Sequence, residues 1–306
     1  MSTQTFELLI LGSSAATPTA NRNPTAQLLN IAERFFLIDC GEGTQMQMRK
    51  YKARFQSVNH IFISHLHGDH FYGLPGFLAS MHLLGRKNEL TIYGPKELEE
   101  IINMIHKHSE TYLNYPLNFV YTQNTSKQLI FEDEKVEVYS LPLKHRIATT
   151  GYLFKEKPLF RNIDKYKLEK MNVSFAEIHK LKQGLDAIDN NGNIIKNNEL
   201  TLDPIKQRSY AFCSDTKFFE ELSNDIKDVD LLYHESTFLE EKEDRAKQTF
   251  HSTAKQAAQM AVLANAQKLI LGHFSARYGH LEEFLEEAKP IFSNTELAIE
   301  GQLFSL

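Results

Sequence analysis

A histidine-rich segment follows an apolar stretch of the chain near residue 60. The segment reads Ser64-His65-Leu66-His67-Gly68-Asp69-His70 and contains three imidazoles and one carboxylate within six residues. Neutral imidazole nitrogens and ionised carboxylate oxygens are ligands that suit zinc and its neighbours. Alternate residues of an extended segment point to one side, so we expect His65 and His67 to face one metal ion and Asp69 and His70 to face a second. The alternative is a polar surface turn that binds nothing, and this spacing disfavours it.

Two metal ions need further ligands, and candidate residues follow three other apolar segments. They are His145 after 136–141, Asp215 after 210–213 and His273 after 269–272. Taken singly, each is as well explained by a cap or a hydrogen-bonded loop residue. Their common position just past a strand favours a shared site. Asp39, at the end of the apolar segment 35–38, either caps a turn or orients a ligand, and both interpretations stay open.

The composition is that of an ordinary globular protein of 306 residues, with 42% hydrophobic and 24% charged side chains. The formal net charge of -5 argues against a broadly basic surface, so a polyanionic partner would have to be bound locally. Cys40 and Cys213 read as small buried hydrophobes and suggest no disulfide framework. Because no apolar run approaches about 18 residues, we expect a soluble cytoplasmic protein without a membrane partner.

The elements that would position these residues alternate between strands and helices, which predicts an α/β fold with helices covering a largely buried sheet. In the second half of the chain we expect strands at 209–213, 230–234, 268–271 and 296–299, and helices near 217–222, 253–264 and 281–292. The length fits one domain over 1–306 with an elaboration at 155–206, where the alternation is interrupted.

The inserted segment differs in charge from the rest of the chain. Residues 155–182 hold eight Lys and Arg side chains and four Asp and Glu side chains, a net charge of +4. Ser174 and Glu177 form a capping box, and the sequence 189–193 (D-N-N-G-N) predicts a hairpin turn. The segment is either an arm that grips a phosphate backbone or a solvated surface excursion.

Several motifs together carry a family resemblance. The segment from His65 to His70 resembles the HxHxDH signature of metallo-β-lactamase-fold hydrolases. Four further motifs narrow it: D-C-G-E-G-T-Q at 39–45, H-E-S-T-F at 234–238, H-S-T at 251–253 and G-H-F-S-A-R-Y at 272–278. This set is similar to that of ribonuclease Z, the tRNA 3'-end endonuclease family.

The resemblance implies a four-layer αβ/βα sandwich with its site at the loop end of two facing sheets. It assigns two zinc ions to seven ligands: His65, His67 and His145 for one, Asp69, His70 and His273 for the other, and Asp215 as the bridge. It also implies catalytic roles for Asp69 as general base and His251 as general acid. Without the resemblance, His251 reads as a neighbour of a helix N-terminus; a hydrogen bond donated to Glu235 would keep it protonated.

The same resemblance implies how substrate is bound. Residues 155–206 occupy the place of a tRNA-gripping arm, which makes Lys165, Lys167 and Lys170 candidate RNA contacts. Arg277 resembles a phosphate-facing arginine. Arg22 lies in a loop that resembles a P-x-K-x-R-N motif, with Ala20 at the lysine position. A homodimer, in which one subunit's arm serves the other's site, is also implied.

We therefore predict a zinc-dependent endoribonuclease that cuts precursor tRNA at its 3' end and leaves a 3'-hydroxyl on the tRNA. One alternative keeps the metal site but makes the protein a phosphodiesterase or other hydrolase of small molecules. The other is a non-catalytic module that binds RNA or metal.

Overall fold

The computed structural model describes residues 4–158, 160–169, 173–204 and 206–306. The chain forms two compact units. The larger comprises Met1–Lys155 with Arg208–Leu306, and the smaller comprises Glu156–Gln207.

The described strands are short and mostly buried. In chain order they are β1 (Phe6–Gly12), β2 (Ser14–Ala15), β3 (Ala26–Ile31), β4 (Arg34–Cys40), β5 (Val58–Phe62), β6 (Leu90–Gly94), β7 (Leu117–Tyr121), β8 (Gln128–Glu132), β9 (Val136–Pro142), β10 (Thr150–Glu156), β11 (Asn162–Ile163), β12 (Ala187–Ile188), β13 (Ile194–Ile195), β14 (Thr201–Leu202), β15 (Ser209–Cys213), β16 (Leu231–Glu235), β17 (Lys268–Gly272), β18 (Phe274–Ser275), β19 (Thr295–Leu297) and β20 (Leu303–Ser305).

The described helices connect these strands. They are α1 (Thr44–Lys50), α2 (Gly68–Phe71), α3 (Leu74–Leu83), α4 (Glu97–His108), α5 (Lys165–Leu168), α6 (Phe175–Lys182), α7 (Asn197–Leu200), α8 (Leu222–Asp225), α9 (Glu243–Thr249), α10 (Ala254–Leu263) and α11 (Glu282–Ala288). Among the described residues, no helix combines the length and the apolar character needed to cross a membrane.

The larger unit is built on two seven-stranded mixed sheets. The first has the order β20-β1-β3-β4-β5-β6-β7 and the second β19-β17-β16-β15-β10-β9-β8. Pairing is parallel from β4 to β7 and from β15 to β19. Strands β15 and β16 are buried along their whole length, as expected for parallel strands covered on both faces. The ends of these parallel strands supply the loops that carry the site.

The two sheets face each other across an aromatic core. Phe62 of the first sheet lies 5.1 Å from Tyr152 and 5.2 Å from Phe154 of the second, measured between ring centroids. The Tyr152 hydroxyl donates a hydrogen bond of 2.7 Å to the carbonyl of Ile63, at the start of the histidine-rich segment. The core therefore fixes that segment against the opposite sheet.

Helices cover the outer faces of both sheets. Helix α3 buries Leu74, Phe77, Leu78 and Met81, a spacing that places all four on one face. Helix α10 begins with a capping box of Thr253 and Gln256 and buries mainly alanines, which allow close approach to its sheet. The predicted four-layer α/β sandwich is confirmed.

Two of the predicted helices differ from the observed ones. The helix expected at 217–222 is instead α8, at Leu222–Asp225. The residues directly after Asp215 form no helix because Lys217 N donates to the carbonyl of Lys144 and the Thr216 hydroxyl accepts from Lys144 N. The helix expected at 281–292 ends at Ala288.

The smaller unit has its own small core, of Leu181, Ala187, Ile195 and Leu200. Helix α6 starts at Ser174, whose hydroxyl accepts a hydrogen bond from Glu177 N. The hairpin of β12 and β13 turns at Asp189, which accepts from the backbone N–H groups of Asn191 and Asn193. The helix start and the turn agree with the local sequence signals, but only half of the predicted capping box forms, because the Glu177 carboxylate accepts from Ile188 N.

Candidate metal centre

The histidine-rich segment separates into two groups of ligands, as its spacing predicts. His65 and His67 lie with His145 and Asp215, and Asp69 and His70 lie with His273. Within each group the candidate ligand atoms lie within 4.8 Å of one another. The structure therefore brings together all seven residues that the sequence analysis proposed as metal ligands.

Asp215 lies between the two groups. Its Oδ2 atom is 3.5 Å from Nε2 of His65 and 3.7 Å from Nε2 of His145. Its Oδ1 atom is 3.1 Å from Nε2 of His70 and 3.1 Å from Nε2 of His273. One carboxylate thus presents a different oxygen to each group, the arrangement that a ligand bridging two cations requires.

The second group contains nitrogen atoms that lack protein partners. The Nε2 atoms of His70 and His273 are buried and make no hydrogen bond with the described residues. Asp69 Oδ2 lies 3.4 Å and 3.5 Å from them and accepts a hydrogen bond of 2.7 Å from Ala16 N. Because an unsatisfied buried nitrogen is costly, this donor set fits a divalent metal ion.

Hydrogen bonds at Nδ1 fix the tautomers of the ligand imidazoles. The Nδ1 atom of His70 donates to Asp39 Oδ2 over 2.6 Å, and that of His145 donates to the Phe250 carbonyl over 3.0 Å. The Nδ1 atoms of His65 and His273 contact the hydroxyls of Ser64 and Thr237, at 3.0 Å and 2.9 Å. Each ring then keeps the Nε2 lone pair for a metal.

His67 differs from the other imidazoles because its Nδ1 atom, rather than Nε2, faces the candidate metal site. Its Nδ1 atom lies 2.9 Å from His65 Nε2 and 3.3 Å from His145 Nε2, so Nδ1 faces the first group. Its Nε2 atom lies 3.4 Å from Arg146 Nη2.

Asp39 holds His70, a candidate ligand, as the second of the two interpretations left open above expects. Both carboxylate oxygens are occupied, because Ser64 N donates to Oδ1 and the Ser64 hydroxyl donates to Oδ2 beside His70. Asp39 has a φ of 55° and is the extra residue where the register of β3 and β4 shifts. Asp215 and His273 also have positive φ values, 47° and 58°. Such strained backbone positions are typical of functional sites.

The ionisation of His65, His145 and Asp215 suits metal binding. Burial lowers the pKa of His65 and of His145, and these rings are therefore neutral at physiological pH. Burial opposes ionisation of Asp215, but the surrounding histidines, His273 first, hold its pKa well below the usual range. Burial also opposes protonation of His70, but Asp215, Asp69 and Asp39 outweigh it and raise the pKa of His70 well above its ordinary value, so a metal ion at Nε2 would displace a proton there. Neutral imidazoles and ionised carboxylates are the forms that coordinate a metal.

Beside these groups, His251 forms an ion pair with a buried carboxylate. Its Nδ1 atom lies 2.8 Å from Glu235 Oε1. Burial lowers the pKa of His251, but the Glu235 carboxylate outweighs it and raises that pKa to about 9. Glu235 is held by Thr216 N and by both the backbone N–H and the hydroxyl of Thr237. His251 also forms a third candidate metal-binding group with Asp215 and His273.

A cavity of about 590 Å³ opens over the candidate ligands and is lined by residues of the larger unit. Arg277 lines it, with its guanidinium carbon 5.2 Å from the centre of the Phe238 ring. Sequence reasoning missed three further lining residues, Tyr72, Arg146 and Arg245. The position of Arg146 directly after His145 was a usable signal, whereas nothing in the sequence marked Arg245.

Other predicted substrate residues lie elsewhere. Arg22 lines a different cavity, and its Nη2 atom donates to the carbonyls of Ser275 and Tyr278 over 3.3 Å and 2.8 Å. Lys165 and Lys167 are exposed on the smaller unit. Lys170 lies outside the described residues.

Comparison with known proteins gives two family names, one from a family model and one from individual relatives. A family model described as "Anti-Pycsar protein Apyc1" matches residues 6–291. The ribonuclease Z of Cytophaga hutchinsonii is 52% identical over 98% of this chain and 96% of its own, and that of Parabacteroides distasonis is 42% identical over 98% and 99%. The crystal structure of the short form of human tRNase Z superposes with a TM-score of 0.70 at 26% identity, covering 98% of both chains. The chain therefore belongs to the ribonuclease Z family, within the metallo-β-lactamase fold.

Proposed function

We propose that this tRNA 3'-processing endoribonuclease works with two zinc ions bound side by side. The position of Asp215 carries the proposal, because its two oxygens face two separate groups of histidines. The proposed ligands are His65, His67 and His145 for one ion, Asp69, His70 and His273 for the other, and Asp215 for both. Two such ions would lower the pKa of a water molecule and screen the charge of a phosphodiester.

His251 is the proposed proton donor. Hydrolysis that leaves a 3'-hydroxyl on the tRNA requires a proton at the departing 3'-oxygen. Glu235 binds Nδ1 of His251 and keeps the ring protonated, which leaves Nε2 to donate. Asp69 is the proposed acceptor of the proton of the attacking water. Arg277, and with it Arg146 and Arg245, would neutralise the phosphates of the substrate.

The chemistry is tested with a precursor tRNA that has a defined 3' trailer. We expect a tRNA ending in a 3'-hydroxyl and a trailer beginning with a 5'-phosphate. His251→Gln should lower kcat by about 10² to 10⁴. Elemental analysis should find two zinc ions per chain. If the protein hydrolyses a small chromogenic phosphodiester but leaves the precursor intact, the small-molecule alternative replaces this proposal.

The smaller unit is the proposed tRNA-binding arm. Lys165 and Lys167 flank Tyr166 in helix α5 and all three residues are exposed, Tyr166 to 84%, so the surface of this unit carries both cationic and aromatic groups. Cationic groups that contact phosphates and aromatic rings that contact bases are the usual components of an RNA surface. Lys170 remains a proposed contact on sequence grounds.

The arm is tested by charge reversal. Lys165→Glu with Lys167→Glu should raise KM for precursor tRNA about tenfold or more and leave hydrolysis of a small phosphodiester unchanged. Lys87→Glu with Lys227→Glu, two exposed lysines of the larger unit, is the control for the same change in net charge. Equal effects of the two double variants would contradict the arm hypothesis. The homodimer, which sedimentation would test, and the cytoplasmic location stay predictions.

A further inference from the structure

An exposed aromatic ring lies beside the candidate metal centre. Tyr72 follows helix α2 directly, and its side chain is 68% exposed. It lines the same cavity as His67, Asp69 and Arg277. A tyrosine with two-thirds of its surface in solvent contributes little to the core, so its place at the cavity needs another explanation.

The Tyr72 ring is held against the backbone of the metal-binding loop. A Cβ atom placed on Gly68 would lie 2.2 Å from Tyr72 Cε2 and 2.6 Å from Cζ, so the ring occupies the space that only a glycine leaves free. Phe71 contacts the ring edge-on, with centroids 5.0 Å apart. Gly68 joins His67, of one ligand group, to Asp69, of the other. The backbone thus places the ring next to both groups.

The chemistry of this position points to a nucleobase. The exposed ring offers an apolar π surface, and Arg146, Arg245 and Arg277 line the same cavity and would attract the flanking phosphates. Aromatic rings stack on bases in single-stranded nucleic acid without sequence preference. A phosphate alone would gain nothing from the ring.

We propose that Tyr72 is a stacking platform for one of the two nucleobases that flank the scissile phosphodiester. This inference rests on the proposed function and names a subsite of the same cavity. Stacking on Tyr72 would keep the two bases at the cleavage site apart and align the RNA strand with the ligand groups.

The test pairs Tyr72 variants with abasic substrates. Two precursor tRNAs lack the base either directly before or directly after the cut, and kcat/KM is measured for the parent and for Tyr72→Ala. On the unmodified precursor, Tyr72→Ala should lower kcat/KM about tenfold or more relative to the parent. At one of the two abasic positions, the kcat/KM of the parent should fall by a similar factor relative to the unmodified precursor. The kcat/KM of Tyr72→Ala should hardly fall at that position. Tyr72→Phe, which keeps the ring, should keep the sensitivity to the missing base.

Controls separate stacking from a structural role. Tyr112→Ala removes a tyrosine that is 80% exposed outside this cavity and should behave as the parent on all three substrates. Tyr72→Leu keeps an apolar side chain over Gly68 and replaces Tyr72→Ala if that variant fails to fold. Equal losses for the parent and the Tyr72 variant at both abasic positions would overturn the inference but leave the proposed function standing. A parent that fails to cut the unmodified precursor overturns the proposed function itself.

Discussion

The Nδ1 atom of His251 lies 2.8 Å from Oε1 of Glu235, a carboxylate that is buried completely. This pair raises the pKa of His251 to about 9 against the opposing effect of burial. A general acid works in its protonated form, so activity that depends on His251 is present below this pKa and is lost as pH rises through it.

Glu235→Gln should therefore move the alkaline limb of the kcat profile to lower pH. Without the Glu235 carboxylate, burial still lowers the pKa of the imidazole and only Asp215 and Asp69 still raise it, so we expect a shift of about one pH unit or more. The pH dependence of kcat on precursor tRNA measures it. Glu287→Gln is the matched control, because Glu287 also accepts two backbone hydrogen bonds, from Glu240 and Lys255, away from the cavity. An unchanged alkaline limb in Glu235→Gln would exclude His251 as the general acid.

Asp39→Asn should weaken metal binding. Asp39 fixes His70 through a hydrogen bond of 2.6 Å, and loss of such an orienting carboxylate typically costs 10- to 100-fold in metal affinity. Competition with a chelator of known affinity measures the metal affinity of each variant. Asp230→Asn, which alters a carboxylate bonded to Ser209 N and Oγ outside the site, should keep the parent's affinity. Equal affinities in the parent and Asp39→Asn would show that His70 needs no such support.

Arg22→Ala should slow cleavage of every substrate. Its guanidinium supports the carbonyls of Ser275 and Tyr278, on either side of Arg277 and just after His273. Loss of charged hydrogen bonds of this kind costs about 1.5–3 kcal/mol each, so we expect a decrease of about tenfold or more in kcat/KM. Kinetics with precursor tRNA and with a small chromogenic phosphodiester measure it. If only the tRNA reaction slows, Arg22 contacts RNA directly, as the sequence analysis expected.

His60 should make the fold sensitive to acid. Burial against Phe131 and Phe36 lowers its pKa to about 4. Between about pH 6.5 and 4 the unfolded chain binds this proton and the folded chain does not, so stability falls as pH decreases. The contribution lost by pH 5 is about 2 kcal/mol.

Urea unfolding at pH 7 and pH 5 tests this effect. The parent should lose about 2 kcal/mol more than His60→Phe between the two pH values. His108→Phe, at an exposed position, should follow the parent. The expectation fails if the free energy of unfolding of His60→Phe falls as much as that of the parent between pH 7 and pH 5.

The sequence by itself determined the chemistry of the centre. His65, His67, Asp69 and His70 are adjacent in the chain, and their side chains are suitable metal ligands wherever the loop lies. Local signals were likewise sufficient for the helix that starts after Ser174 and for the hairpin turn at Asp189, because capping and turn hydrogen bonds join residues a few positions apart.

The tertiary structure decided what depends on distances across two sheets. Asp215 follows β15 of one sheet, the histidine-rich segment follows β5 of the other, and Asp215 contacts both ligand groups from a backbone position with positive φ. The hydrogen bonds of Asp39 with His70 and of Arg22 with the carbonyls of Ser275 and Tyr278 likewise join residues far apart in sequence. A hydrogen bond forms within about 3 Å, and strand pairing and backbone strain set that distance for residues far apart in sequence.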